Sequence, residues 1–409
     1  MHRGHTRIVV TFLFLFATLG AAHAWLAREL TAQARSGIQA PRFEVDPFWP
    51  KPLPNHWLLG NAIGVWVDDR DHVWIVHRGS ATLANNEKGL ELKAADCCAG
   101  APPVLEFDAQ GNLLGHWGGP GAGYDWPESN HGIFVDHLGQ VWIGGNGASD
   151  SHIVKFTREG KFLAQYGKPN ARASGKTAQG EPDFTRDSHD PNSFGRVAKL
   201  FVDPTANEVY VADGYLNRRV AVLDATSGTL KRYWGAYGNK PDDTMELGAY
   251  DPAAPPAQQF RTPVHCADLS RDGLLYVCDR VNNRLQVFRT DGTFVKEVFF
   301  AKDTKLSGAV WDVAFSRDPQ QRFIYVADGI NDRIYVLQRD TLELLTSFGD
   351  GGRQPGQFYG VHSIASDSQG NLYTTETWEG KRLQKFVYRG MAPVTTLHQG
   401  TVWPRPPGR

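Results

Sequence analysis

Along most of the chain, short apolar strands alternate with polar turns, and the alternation itself repeats. Six segments open on a strand of one outline: IGVWVD from Ile63, HGIFVD from His131, AKLFVD from Ala198, HCADLS from His265, WDVAFS from Trp311 and HSIASD from His362. Each runs into a polar turn such as Asp69-Arg70-Asp71, His137-Leu138-Gly139 or Asp272-Gly273. A second strand follows, read in VWIVH, VWIGG, VYVAD, LYVCD, IYVAD and LYTTE. A third is legible in IVKFT, VAVLD, LQVFR, IYVLQ and LQKFV, and a fourth in LLGHWG, FLAQYG, LKRYWG, FVKEVFF and LLTSFG. β-branched and aromatic residues fit a pleated, half-buried surface, and Gly, Asp and Asn punctuate it. Four strands per unit at a period of roughly 40–65 residues predict the blades of a propeller. The fold class expected is all-β, a six-bladed β-propeller.

The corners between second and third strands share a phrase: Asp213…Asn217…Arg219, Asp279…Asn283…Arg284 and Asp328…Asn331…Arg333. These corners resemble NHL-type repeats, and their recurring arginines read as structural. The sixth repeat lacks a clear fourth strand. The segment FEVDPFWP from Phe43 is expected to supply it. Closing the ring in this way hides sheet edges that would otherwise pair with other chains. The propeller is therefore drawn over 43–390, with a linker at 25–42 and a Pro-rich tail at 391–409.

Residues 1–24 read as an export signal. MHRGHTR is basic, IVVTFLFLFATLGAA is an apolar run of 15 residues, and Ala22-His23-Ala24 fits a small-x-small cleavage site. The run is short for a membrane span, which favours a cleaved signal over an anchor. The mature chain is then expected in the periplasm or outside the cell, free of the membrane, where disulfides persist. Cys266 and Cys278 fall nearly opposite each other on one hairpin, so a bridge is expected there. Adjacent Cys97 and Cys98 leave three options open: a vicinal bridge, pairing elsewhere, or free thiols. With no CxxC, thiolate ligation of zinc is disfavoured. The 43 basic and 44 acidic residues balance, which leaves no electrostatic case for nucleic acid or an anionic membrane surface.

Three insertions break the rhythm, at about Gly79–Pro103, Lys168–Phe194 and Asn239–Arg261. Strands in a blade alternate in direction, so the start of strand one, the end of strand two and the exit of strand four share a face. All three insertions map there, and long loops on a rigid scaffold commonly carry function. The leading slot of the six inner strands lies on the same face and reads Ile63, His131, Ala198, His265, Trp311, His362. In a closed ring the alternation sets three imidazoles around one axis at threefold spacing. A metal ion with three neutral His ligands and an open position requires that arrangement. The ends of the second strands add Arg78 and Arg280, opposite each other across the ring, and Tyr215 follows Gly214. Two guanidiniums suit an anionic substrate, because Arg grips a carboxylate with two parallel bonds. His77 and His116 have no evident partners and are not read as ligands. Asp187, His189 and Asp190 in the second insertion read as a solvated loop rather than a cation site.

VHRG at Val76–Gly79, NHGIFVD at Asn130–Asp136, VADGYLNRRV at Val211–Val220, PVH at Pro263–His265, CDRVNNRLQVF at Cys278–Phe288 and VHS at Val361–Ser363 fall in order. With these motifs the chain resembles, from roughly Gly60 to Tyr388, the peptidyl-α-hydroxyglycine α-amidating lyase domain of peptidylglycine α-amidating monooxygenase. The resemblance implies a central zinc held by His131, His265 and His362. It implies a catalytic Tyr215, and Arg78 and Arg280 as active-site residues that bind the substrate with it. The substrate class implied is a peptide or small molecule carrying a carboxylate, R–CO–NH–CH(OH)–COO⁻, cleaved to an amide and glyoxylate. The family also holds a channel calcium by two backbone carbonyls, matching Val65 and Ile133, and by an Asp after the last zinc His. Ser363 stands at that Asp position, and losing the carboxylate removes the charge a hard cation needs. The family's half-cystine positions hold Leu216 and Tyr276 here. No copper-monooxygenase domain fits within the length, so a hydroxylated substrate would come from elsewhere. Two rival functions remain. One is a non-catalytic NHL-type binding propeller, since fold does not fix function. The other is a metal-dependent lactonase-like hydrolase, whose carboxylate and Asn ligands the imidazole slots do not supply.

Overall fold

A computed structural model describes residues 37–404 of the chain. Six four-stranded antiparallel sheets are arranged as the blades of a propeller. The inner strands are Ala62–Val67, Asn130–Val135, Val197–Asp203, Val264–Leu269, Asp312–Phe315 and Val361–Ser366, for blades one to six. Each inner strand lies beside the next, and the sixth lies beside the first, so the ring is closed. The export signal read at 1–24 lies outside the described residues.

An Asp that recurs just after the inner strand explains the hairpin that follows. In blade one the Asp68 carboxylate accepts the backbone N–H of Arg70 and His72 at 2.9 Å, and its other oxygen accepts the Trp74 indole N–H at 2.9 Å. Asp136 repeats this with Trp142, and Asp367 does so with the Tyr373 hydroxyl. One carboxylate thus fixes the turn and locks the large side chain of the second strand. The apolar faces of neighbouring blades then pack on each other to form the core between sheets.

Ring closure comes from the N-terminal side. Gln39–Asp46 pairs antiparallel with Leu383–Pro393 as the outer strand of blade six. Phe43 packs its ring 5.3 Å from Tyr325 and 5.4 Å from Phe348. This strand begins at Gln39, inside the segment read as linker, and its partner continues to Pro393, beyond the boundary drawn at 390. Pro41 obscured that start in the sequence, yet a residue without an N–H is tolerated on an edge strand and sits here at a register shift. The segment read as a tail lies against the ring edge: Val45 N–H donates to Val402 O at 3.0 Å and Ser347 N–H to Leu397 O at 2.8 Å.

The corner arginines are structural in two blades. Arg219 and Arg284 are buried and bond Asp213 and Asp279, each at 2.8 Å. Arg333 departs from this pattern. In its blade Asp328 accepts from Asn331 Nδ2 at 2.7 Å and from the Tyr335 hydroxyl at 2.9 Å. The corresponding positions, Ala221 and Gln286, carry no phenol, which is why only blade five satisfies its Asp in this way.

His77 is buried and uses both ring nitrogens. Nδ1 accepts the N–H of Gly60 at 3.1 Å and of Gly79 at 3.0 Å, while Nε2–H donates to Pro102 O at 2.9 Å. Burial pushes its pKa down from 6.5 to about 4. The folded state therefore favours the neutral ring. Its contribution is complete above pH 6.5 and is lost as the pH falls from there to about 4. For a shift of this size the loss is about 3 kcal/mol. Urea melts of the metal-free protein are expected to show that decline over this window, with a smaller slope in His77→Phe.

Candidate metal centre

The ring brings His131, His265 and His362 together on its axis. Ring centroids are 4.8 Å apart for His131–His362, 4.9 Å for His265–His362 and 5.1 Å for His131–His265. One nitrogen from each lies within 4.8 Å of the others, a group able to hold a metal ion. All three side chains are buried.

The alternation in the leading slot has a second consequence. His131 Nδ1 meets the Ala198 carbonyl at 2.6 Å, and His362 Nδ1 meets the Ile63 carbonyl at 2.8 Å. His265 Nδ1 meets the Trp311 carbonyl. Ala198, Ile63 and Trp311 hold the leading slots of the odd blades, so even blades supply imidazoles and odd blades supply the carbonyls that orient them. A carbonyl only accepts, so each Nδ1 carries its hydrogen and each Nε2 presents a lone pair. Burial pushes all three imidazoles well below the ordinary range, reinforced by neighbouring His and Arg charges. The rings are therefore neutral.

Tyr215 reaches two of the three imidazoles. Its hydroxyl lies 2.9 Å from His131 Nε2 and 3.0 Å from His265 Nε2, and it accepts a bond from Arg280 Nη1 at 3.0 Å. Gly214 makes the position reachable, because a Cβ there would collide with the backbone of Val264 at the start of the next inner strand. A single phenolic hydrogen serves three converging lone pairs. At least two are left without a donor, and a cation satisfies such a set. Neutral nitrogen ligands with room for a further group suit zinc, copper, iron or nickel.

Arg78 and Arg280 flank the centre. Arg78 Nη2 donates to Asn146 Oδ1 at 2.8 Å. Arg280 lies over the Trp311 ring at 4.4 Å, and its buried Nε has no hydrogen-bond partner. Among the described residues neither guanidinium forms an ion pair with a carboxylate, although Asp150 bears on Arg78 through space. Asn146 orients Arg78 and also accepts from the Ser129 hydroxyl at 2.9 Å. Trp311, read in sequence only as a slot without His, supplies both the flat surface under Arg280 and the carbonyl on His265.

Other candidates fall elsewhere. Val65 and Ile133 sit mid-strand, paired with Ile75 and Ile143. Buried Ser363 has its N–H bonded to Thr375 Oγ1 at 3.2 Å. No carboxylate belongs to Ser363, so the donor set there does not fit calcium. Arg172 bonds both Asp187 and Asp190, and His189 bonds the Tyr233 hydroxyl at 3.0 Å. The two carboxylates of the second insertion are thus paired with a guanidinium. The sulfurs of Cys266 and Cys278 are bonded, and so are those of Cys97 and Cys98. Two disulfides are compatible with an oxidising compartment. Among the described residues no helix is long and apolar enough to cross a membrane.

No protein-family model matches the chain. It is 24% identical over 377 residues to peptidyl-alpha-hydroxyglycine alpha-amidating lyase 1 of Drosophila melanogaster, covering 85% of this chain and 60% of that protein. It is 25% identical over 300 residues to NHL repeat-containing protein 3 of Mus musculus, covering 71% of this chain and 66% of that one. It is 26% identical over 255 residues to peptidylglycine alpha-amidating monooxygenase of Rattus norvegicus, covering 60% of this chain and 22% of that one. The chain thus spans less than two thirds of the length of each of these relatives.

Proposed function

In a chain that fits an NHL-repeat family of amidating-lyase-like propellers, we propose a zinc-dependent lyase. Its substrate is a peptidyl- or acyl-α-hydroxyglycine, and its products are an amide and glyoxylate. One observation carries the reading: three buried imidazoles converge on the axis of the ring, and two of them meet a phenol that also takes a bond from Arg280.

His131, His265 and His362 would hold the metal through Nε2. When bound it supplies Lewis acidity at the substrate hydroxyl. The rest falls to the side chains. Arg78 and Arg280 bind the substrate carboxylate and orient the carbinol carbon, work suited to planar donors. Tyr215, held by Arg280 at 3.0 Å, relays a proton: its oxygen takes the hydroxyl proton as its own phenolic hydrogen moves toward the amide nitrogen. The hydroxyl oxygen becomes the aldehyde oxygen of glyoxylate as the C–N bond breaks. The electron pair of that bond stays on the amide nitrogen, which receives the phenolic proton of Tyr215. The substrate R–CO–NH–CH(OH)–COO⁻ then becomes R–CO–NH₂ and OHC–COO⁻, with no external reactant. The partner is a small molecule or peptide ending in a carboxylate. Residues 1–24, read as an export signal, and the two disulfides together support a periplasmic or secreted location.

The test measures metal content and glyoxylate release together, on purified protein with an N-acyl-α-hydroxyglycine probe. One zinc per chain and chelator-sensitive glyoxylate release are the expected results. Metal without turnover redirects the search to another substrate or to hydrolysis of a lactone. Neither metal nor turnover makes this ring a binding platform. Arg78→Ala should raise KM by about 10–100-fold, as expected for a lost charge-assisted bond to a carboxylate. An unchanged KM would remove Arg78 from substrate binding.

A further inference from the structure

Three buried charged side chains stand within the inner strands of consecutive blades. They are Lys199 in VAKLFVD, Asp268 in VHCADL and Asp312 in DVAF. Lys199 Nζ lies 2.9 Å from one Asp268 oxygen and 3.0 Å from the other, and 2.6 Å from Asp312 Oδ1. The second Asp312 oxygen accepts the backbone N–H of Ile364 at 3.1 Å, next to Ser363. The trio therefore joins blades three, four, five and six around the axis. It is close enough to the imidazoles for the Lys199 charge to bear on His362.

Burial opposes the Lys199 charge, yet Asp268 and Asp312 together hold the ammonium above its ordinary value. Two buried carboxylates facing one point are the donor set a hard divalent cation takes. With Cys266 they form a group of metal-ligating type, but the Cys266 sulfur is committed to its disulfide. The space between the two carboxylates is filled by a cation that belongs to the chain.

We propose that Lys199 is the resident cation of the channel, so that this ring takes up no calcium there and its blades are tied without an external ion. An attached ammonium requires no capture from solution, so the link is independent of calcium concentration. The inference does not rest on the lyase reading. Metal at the three His and calcium in the channel are separate measurements.

Elemental analysis and thermal melting of the full chain test it. After dialysis against EGTA, the wild type should hold no calcium, and millimolar CaCl₂ should leave its Tm unchanged. Lys199→Met leaves two buried carboxylates unpaired. Its Tm should fall by roughly 5–10 °C and should recover, saturably, on adding calcium. In Lys199→Met/Asp268→Asn/Asp312→Asn the calcium response should vanish, because no charge remains to bind it. Stoichiometric calcium in the wild type would overturn the proposal, and that result needs no variant to fold. So would a Lys199→Met protein that melts like the wild type and ignores calcium.

Discussion

His265→Ala is expected to lose its metal and, with it, glyoxylate release, while the propeller still folds. His265 Nε2 contributes one of three lone pairs, and its Nδ1 is held by the Trp311 carbonyl. Two remaining imidazoles cannot complete a site that normally needs at least three protein ligands. Losing Lewis acidity at the substrate hydroxyl removes several kcal/mol of transition-state stabilisation, a rate loss on the order of 10³-fold or more. The fold should survive, because the inner strand Val264–Leu269 keeps its pairing with Leu274–Asp279. Elemental analysis, circular dichroism and a glyoxylate assay read the three quantities separately. Full activity in this variant would end the metal mechanism.

Tyr215→Phe should show the complementary split: metal retained and turnover lost. The phenol oxygen lies within 3.0 Å of two imidazole nitrogens and of Arg280, so deleting it removes the proton carrier without removing a ligand. General acid–base catalysis contributes about 10²–10⁴-fold, and kcat should fall by that factor. KM should change little, since both arginines remain. The aromatic ring that packs against His131 at 4.9 Å is preserved, so the melting temperature should stay close to the wild type. A variant with normal kcat would reduce Tyr215 to a packing residue.

The ring itself was legible because its signals are local and repeated. An apolar strand ending in Val-Asp, followed by a turn and a large aromatic, carries its own reason to form a hairpin, as Asp68 with Trp74 and Asp136 with Trp142 demonstrate. Six related strand–turn–strand units predict a closed ring almost without tertiary information. The His alternation was legible for the same reason, since equivalent slots in equivalent blades occupy equivalent places. The exact ends of the closing strand were not, because Pro41 reads as a break while an edge strand accepts it. Arg333 does not repeat the Asp pairing of Arg219 and Arg284, because a phenol two residues on, at Tyr335, meets the same Asp.

Sequence by itself determined the all-β class, the blade count, the three imidazoles and the two arginines, because each follows from a position within a repeat. Tertiary structure alone decided what those groups face. The odd-blade carbonyls that turn each Nε2 toward the axis belong to the backbone and leave no trace in residue type. Tyr215 reaches two imidazoles only because blade three packs its corner against the strand that begins blade four. Asp268 and Asp312 lie 69 and 113 residues from Lys199, with no shared motif to link the three. Only closure of the ring sets them side by side, where burial makes each charge costly alone and mutual attraction makes the three stable together.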